Sequence, residues 1–205
     1  MGLFDLFRKK QQVAANKKQN YSAVIQNARK SIEEDDWEIA QLQAAEEKYE
    51  QDKNTQSCIQ TFEKILLKGT RWNSFNYHMT LVRLYLSAER NDEAWAYLNR
   101  LLILFPDEYN TYKVRNEQFR ILKKEKKYKD ALRMLAVSHV LKTNSPNGSY
   151  FSREKFEKDG KTTAKGAGIS SEQFHVLSGL IENVAKSGRC DEADVFKVVD
   201  DFLKA

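Results

Sequence analysis

Apolar side chains recur at helical spacing along most of the chain, and short polar segments separate the helical stretches. The clearest example spans residues 75 to 107. One stripe contains His78, Leu81, Val82 and Tyr85, and after a polar turn at 87–91 a second contains Ala94, Leu98, Leu101, Leu102 and Phe105. Pro106 follows the second stripe and cannot continue a helix. The pattern predicts two consecutive helices joined by a short turn.

The same arrangement recurs on both sides of this unit. Before it, Tyr49 precedes a polar turn and a stripe of Cys58, Phe62, Ile65 and Leu66. After it come Tyr112, Phe119 and Leu122, a basic turn at 123–127, and Ala131, Leu132, Leu135, Val137 and Val140. The intervals from 49 to 85 and from 58 to 94 are equal. Equal spacing at two independent positions indicates an internal repeat.

Units with this order of small and large apolar residues and a terminal proline resemble the tetratricopeptide repeat, whose period is about 34 residues. The resemblance implies an all-α fold in which antiparallel helical hairpins stack as a short α-solenoid. It also implies a non-catalytic adaptor or scaffold, because such repeats hold a peptide or protein segment in a concave groove.

Four segments are expected along the chain. Residues 1–20 form an amphipathic, basic N-terminal segment that is a candidate for flexibility. Residues 21–142 contain a leading helix at 21–32, a new helix start at Asp35 or Asp36, and three hairpins. Residues 143–169 are rich in Ser, Gly, Asn and Thr and are predicted to form a polar linker or insertion. Residues 170–205 form a helical hairpin, a degenerate repeat or a cap, which opens with a capping box at Ser170 and Gln173.

The resemblance also assigns residues to the groove, because the first helix of each hairpin lines it. Counted from the start of each first helix, the second, fifth, ninth and twelfth positions face the groove. The candidates for partner binding are Asn76, Met79, Arg83, Lys113, Asn116, Arg120 and Lys123. Arginine and asparagine there are suited to a peptide backbone, an acidic segment or a free C-terminal carboxylate.

Charge, hydropathy and cysteine content indicate what kind of partner and which location to expect for this adaptor. The net charge is +5, but Lys and Arg outnumber Asp and Glu mainly in the third unit, which favours a partner of complementary charge. The mean hydropathy is −0.68. The sequence has no run of the ~20 apolar residues that a membrane-spanning helix needs. Cys58 and Cys190 are too few for a disulfide framework, so a cytoplasmic location is expected.

No constellation of catalytic residues is recognisable. The three histidines, His78, His139 and His175, lie one per unit and are not at metal-ligand spacing. We expect His78 to be a hydrogen-bonded packing residue. The glycines at 160 and 166 do not fit the order of a phosphate-binding loop. The sequence therefore predicts no enzyme, no metal and no cofactor.

Two alternatives to the adaptor remain open. Leu3, Phe4 and Phe7 share one face of a short helix ahead of a basic cluster, which suggests a peripheral membrane-surface adaptor with weak association. The pattern for N-myristoylation fails because Leu6 occupies the position of a serine or threonine. The basic third unit is compatible with RNA or another polyanion, although nucleic acid is disfavoured because its neighbouring units are acidic.

Overall fold

The computed structural model describes residues 3–67, 74–145, 150–188 and 191–205, with side chains from residue 23 onward. All regular elements within these ranges are helices, which confirms the all-α prediction. They are α1 (Leu3–Asp52), α2 (Thr55–Leu66), α3 (Phe75–Ser87), α4 (Asn91–Leu104), α5 (Glu108–Lys124), α6 (Tyr128–Asn144), α7 (Arg153–Gly166), α8 (Ser171–Lys186) and α9 (Glu192–Lys204). Helices that are neighbours in sequence pack together inside each compact unit, consistent with a short helical solenoid.

The chain forms two compact units, Met1–Tyr77 and His78–Ala205. In the first, α1 and α2 pack together. The predicted stripe of α2 is buried, as are Ile59 of the same helix and Leu42 of α1; the residues of the stripe are Cys58, Phe62, Ile65 and Leu66. The Asn54 side chain caps α2 by accepting a hydrogen bond from the backbone N–H of Ser57 at 3.1 Å.

The boundaries predicted at residue 20 and at Asp35 or Asp36 are wrong, because α1 is one continuous helix of 50 residues. An N-cap residue must leave helical backbone geometry, and nothing near these aspartates forces that change. The residues on both sides are mainly good helix formers, with no glycine or proline between 3 and 52. Two adjacent acidic residues were therefore an insufficient signal for a new helix.

Three hairpins of the second unit close with the same backbone turn. In each, an N–H group donates to the carbonyl five residues earlier: Arg90 to Tyr85, Lys127 to Leu122, and Ile169 to Ala164. The residue before each donor has a positive φ, which is 58° at Glu89, 61° at Lys126 and 81° at Gly168. This is the Schellman closure of a helix C-terminus. Its recurrence marks α3–α4, α5–α6 and α7–α8 as structurally equivalent hairpins.

The linker predicted at 143–169 is wrong over most of its length, since it contains α7. Phe156, Gly160 and Ala164 of this helix are buried, at the spacing of four residues that defines one helix face. The first half of α7 is rich in Arg, Glu and Lys, which favour a helix, whereas Gly160, Thr162 and Thr163 weaken the helix preference of its second half. Packing of the buried face against α6 and α8 outweighs these weak helix formers. Residues 146–149, with the predicted turn at Asn147-Gly148, lie outside the described residues.

Helix α6 is the central element of this C-terminal part, because it packs against α5, α7, α8 and α9. Their shared core contains Phe119, Leu122, Ala131, Leu132, Leu135, Ala136, Val137, Val140, Leu141, Phe156, Ala164, Phe174, Leu177, Ile181, Ala185, Val195 and Val199. Ala94 and Ala131 are fully buried as the repeat predicts. The Asp-Glu-Ala sequence that ends at Ala94 recurs at residues 191–193, but Ala193 is exposed. α9 begins one residue before Ala193, so Val195 takes the equivalent buried position.

Candidate protein-binding groove

One face of α5 forms the wall of a concave surface. Asn116, Arg120 and Lys123 are separated by four and three residues and therefore share this face. All three line a concavity of about 640 Å³, and the first two also line an adjoining one of about 340 Å³. We call these adjoining concavities the basic groove. Its further lining residues are Tyr112, Phe119, Lys124, Leu135, Ser138, His139, Lys142, Thr143, Tyr150, Ser152, Lys155 and Asp159.

Cations outnumber carboxylates along the basic groove. The cations are Arg120, Lys123, Lys124, Lys142 and Lys155, whereas Asp159 is the carboxylate among its lining residues. Arg120 donates from Nη1 to Oε1 of the neighbouring Glu117 at 2.9 Å, and its side chain stays 64% exposed. A guanidinium has five N–H donors, so this one bond leaves Arg120 with further donors for a ligand. The surface is therefore suited to an anionic or carbonyl-rich ligand.

Aromatic rings support two of these lysines. The Nζ atom of Lys123 lies 5.7 Å from the centre of the Phe119 ring, and Nζ of Lys142 lies 5.9 Å from that of Tyr112. Both distances are within the range of cation–π attraction. Such contacts restrict long flexible side chains without neutralising them. The groove thereby presents charge at a reduced cost in side-chain entropy.

His139 adds a titratable group to the floor of the basic groove. Its Nε2 lies 3.3 Å from Oδ2 of Asp159, and the ring packs edge-on against Phe156 and Phe151. Burial lowers the pKa of His139 from its ordinary 6.5, although the adjacent Asp159 carboxylate acts in the opposite direction. The imidazole is therefore mainly neutral at neutral pH, and the positive charge of the groove comes from its lysines and arginine.

A buried hydrogen-bond network holds α5 in place behind the groove. Gln118 is completely buried and donates from Nε2 to Oδ1 of Asn99 on α4 at 2.8 Å. Its Oε1 accepts a hydrogen bond from Arg115 at 2.8 Å, and Arg115 also forms a bidentate ion pair with Glu192 of α9. Satisfied buried polar groups fix the relative position of elements. This network therefore fixes α5 relative to α4 and α9.

The other predicted groove residues lie elsewhere. Asn76 is exposed and belongs to the first unit, and Arg83 is exposed on α3 in the second. Met79 is buried, with 5% of its surface accessible, so it is a packing residue and its assignment to an open groove is wrong. Lys113 is half-buried, with Nζ 4.1 Å from the centre of the Tyr109 ring. The structure thus gathers three of the seven candidates, Asn116, Arg120 and Lys123.

Several lining residues come from the segment that the sequence assigned to a linker. Tyr150 and Ser152 precede α7, and Lys155 and Asp159 share one face of it. The signal in the sequence was the N-cap Ser152, which accepts a hydrogen bond from the backbone N–H of Lys155, followed by Phe156, Gly160 and Ala164 at intervals of four. A helix there completes the groove opposite α5.

A serine, a histidine and a carboxylate also meet between α7 and α8. Ser178 donates from Oγ to Oε1 of Glu157, and the same carboxylate oxygen lies 2.8 Å from Nδ1 of His175. Arg153 donates to both Glu157 and Ser178. These bonds lower the pKa of Glu157, with that from Ser178 the largest cause. Ser178 is fully buried, and its hydroxyl contacts the Glu157 carboxylate and the backbone carbonyl of His175 rather than the imidazole ring. This cluster therefore joins two helices, and its serine is not an accessible nucleophile.

No group of three or more His, Cys, Asp or Glu side chains suited to a metal ion occurs in the described part of the chain. Nor does any helix there have an apolar stretch long enough to cross a bilayer. Leu3, Phe4 and Phe7 fall within α1, but their side chains, like all of Cys190, lie outside the described residues.

Comparison with protein-family models, with curated proteins and with solved structures found no match for this chain.

Proposed function

We propose that this protein is a non-catalytic, cytoplasmic adaptor whose tetratricopeptide-like hairpins bind an acidic peptide or protein segment in the basic groove. The observation that supports this function is the convergence of Asn116, Arg120 and Lys123 on one concave surface with Lys142 and Lys155. The recurrent Schellman turn supports the tetratricopeptide-like repeat. It closes three successive hairpins in the same way.

The chemistry of the basic groove fits an acidic polypeptide. Arg120 is suited to a carboxylate because a guanidinium binds both of its oxygens at once. The amide of Asn116 can both donate to and accept from a peptide backbone. The half-buried Tyr112 and the exposed Tyr150 add apolar area beside the charges. Lysines alone would favour any polyanion, whereas this mixture favours a polypeptide with interspersed acidic and apolar residues.

A charge reversal tests this function. The double variant Arg120→Glu/Lys123→Glu should bind a fluorescein-labelled peptide of alternating glutamate and leucine at least tenfold more weakly, in a fluorescence anisotropy titration. The matched control is Arg100→Glu/Lys129→Glu, which makes the same change in net charge at exposed positions outside the groove lining. We expect the control to bind like the natural protein. Circular dichroism should show both variants folded at the assay temperature. The groove variant should melt somewhat lower than the control, because Arg120→Glu removes the ion pair with Glu117, whose side chain is only 10% exposed.

Equal binding by the natural chain and the groove variant would exclude the basic groove as the peptide site. A parallel titration with single-stranded RNA tests the alternative that the groove binds polyanions in general. In that case RNA of any sequence should bind, and its affinity should fall steeply as the salt concentration rises. The same peptide titration is carried out with Arg83→Glu, which changes a predicted groove residue on α3. A loss of peptide affinity in that variant would extend the site to α3.

A further inference from the structure

Helix α1 carries an apolar stripe beyond the part that packs on α2. Ile25, Ala28 and Ile32 continue the alternating spacing of three and four residues that leads on to Ile39 and Leu42. This is the spacing of a coiled-coil seam. Leu42 is fully buried in the first unit, whereas Ile25 and Ile32 are 52% and 59% exposed. The seam therefore extends past the region that α2 covers.

The charges along α1 are separated by sign. Residues 8–30 contain seven Lys and Arg and no Asp or Glu, whereas residues 33–52 contain nine Asp and Glu and one Lys. The change of sign falls beside the exposed stripe, with Arg29 and Lys30 on one side and Glu33 to Asp36 on the other. A helix rises about 1.5 Å per residue, so α1 is a rod of about 75 Å with opposite charge at its two ends.

We propose that a second copy of this chain covers the exposed stripe, with the two α1 helices antiparallel. Antiparallel pairing about the exposed stripe brings Arg29 and Lys30 of each helix alongside Glu33 to Asp36 of the other, and one two-fold axis satisfies both contacts at once. It also buries Ile25 and Ile32 between the helices. Parallel pairing would place the basic halves side by side and the acidic halves side by side, which like-charge repulsion disfavours.

A membrane surface fits this part of α1 less well than a second copy. An interfacial helix that binds anionic lipid carries Lys and Arg on its polar face. Here Glu33, Glu34 and Asp36 follow directly after the stripe, and Asp35 lies on the stripe itself. These carboxylates would be repelled by an anionic bilayer but would attract the basic half of a second α1. The charge pattern therefore favours self-association.

Sedimentation velocity over a range of concentrations, with the full chain, measures this association. We expect a concentration-dependent dimer at about 50 mM salt that weakens at about 500 mM, because exposed charges are screened. Ile25→Gln/Ile32→Gln should raise the dissociation constant at least tenfold. Trp37→Gln is the control, since Trp37 is 57% exposed on the opposite side of the helix. We expect it to dimerise like the natural chain.

Charge variants and cross-linking complete the test. Arg29→Glu/Lys30→Glu and Glu33→Lys/Asp36→Lys should each remain monomeric alone and should form a heterodimer when mixed. In Asp36→Cys, antiparallel helices hold the two new thiols far apart, so oxidation should give no cross-linked dimer beyond that of the natural chain. A chain that stays monomeric at all concentrations, a dimer that survives the two isoleucine substitutions, or efficient cross-linking through Cys at 36 would each overturn the proposal. Binding of the monomer to anionic vesicles through the same stripe would also overturn it, in favour of a membrane surface.

Discussion

Glu89 and Lys126 adopt left-handed backbone conformations, which usually select glycine. Each occupies the C′ position of a Schellman turn, one residue before the donor of the closing hydrogen bond. The hydrogen bonds of this turn offset the unfavourable conformation. Glycine is the residue expected at such positions, but of the three turns only the one at Gly168 contains it. The shared turn is therefore visible in the structure but not in the residue types.

Burial also sets the hydrogen bonding and the protonation state of individual side chains in the core. The prediction that His78 is a hydrogen-bonded packing residue is confirmed, because its Nδ1 lies 2.7 Å from the hydroxyl of the buried Tyr97. Burial raises the pKa of Tyr97 to about 12, so the hydroxyl stays protonated. A similar effect of burial raises the pKa of the Cys58 thiol to about 11, which makes it a poor nucleophile at neutral pH.

His139 makes stability depend on pH. Burial lowers its pKa in the folded protein below 6.5, so the unfolded chain takes up the proton first as the pH falls. The stabilisation from the neutral imidazole is complete above 6.5 and decreases as the pH falls from there towards the folded pKa. Compared with His139→Gln, the natural chain should lose more unfolding free energy between pH 7.5 and 5.5. Urea unfolding at both pH values measures this difference.

The charged groups around His139 act on its pKa in opposite directions, so its pKa in the folded protein is measured as the control. Asp159 favours the protonated ring, and Lys155 and Lys142 disfavour it. An NMR titration of the His139 ring in the folded protein should have its midpoint below 6.5. A midpoint above that value would mean that the Asp159 carboxylate outweighs burial, and the pH dependence would then have the opposite sign.

At the scale of elements, α1 and α7 deviate from prediction for opposite reasons. In α1, two aspartates suggested an interruption, but the surrounding residues all support a helix, so local preference prevails. In α7, Gly160, Thr162 and Thr163 disfavour the second half of the helix, and packing against α6 and α8 stabilises it. The capping box of α8 was predicted correctly, because both of its hydrogen bonds are formed by Ser170 and Gln173 within one turn.

Gly160 tests whether close packing stabilises α7. A Cβ at this position would lie 2.5 Å from Cζ of Phe174 on α8 and 2.9 Å from Cδ2 of Leu135 on α6. Alanine normally stabilises a helix interior relative to glycine. Here the steric overlap should dominate, and Gly160→Ala should lower the unfolding free energy by about 1–3 kcal/mol in urea unfolding.

Thr162→Ala, at an exposed position of the same helix, is the matched substitution for this test. It should change stability by no more than about 0.5 kcal/mol. If Gly160→Ala were as stable as Thr162→Ala or more so, α7 would not require glycine for its approach to α6 and α8.

At the scale of the whole molecule, the described residues form two compact units, and most of the second is organised around α6. α9 contributes Val195 and Val199 to that core, and ion pairs join Arg115 to Glu192 and Arg133 to Asp200. The last helix is therefore part of the structure that presents the basic groove, although it contributes no lining residue to it.

Val199→Ala tests the contribution of α9. Val199 is completely buried, so removing two methyl groups should lower the unfolding free energy of the second unit by about 1.5–3 kcal/mol. Lys197→Ala, exposed on the same helix, should have little effect. Urea unfolding followed by circular dichroism measures both. Equal stability of the two variants would show that α9 is only loosely attached to α6.

The sequence by itself determined the helical class, the α3–α4 and α5–α6 hairpins and the apolar faces that they bury. These features follow from spacing and capping, which act within a few residues of one another. It also placed Asn116, Arg120 and Lys123 on one helix face. Only the tertiary structure supplied the opposite side of the groove, because the position of α7 depends on its contacts with α6 and α8. Burial of Met79 and the charge state of His139 also depend on neighbours distant in sequence, which helical periodicity does not specify.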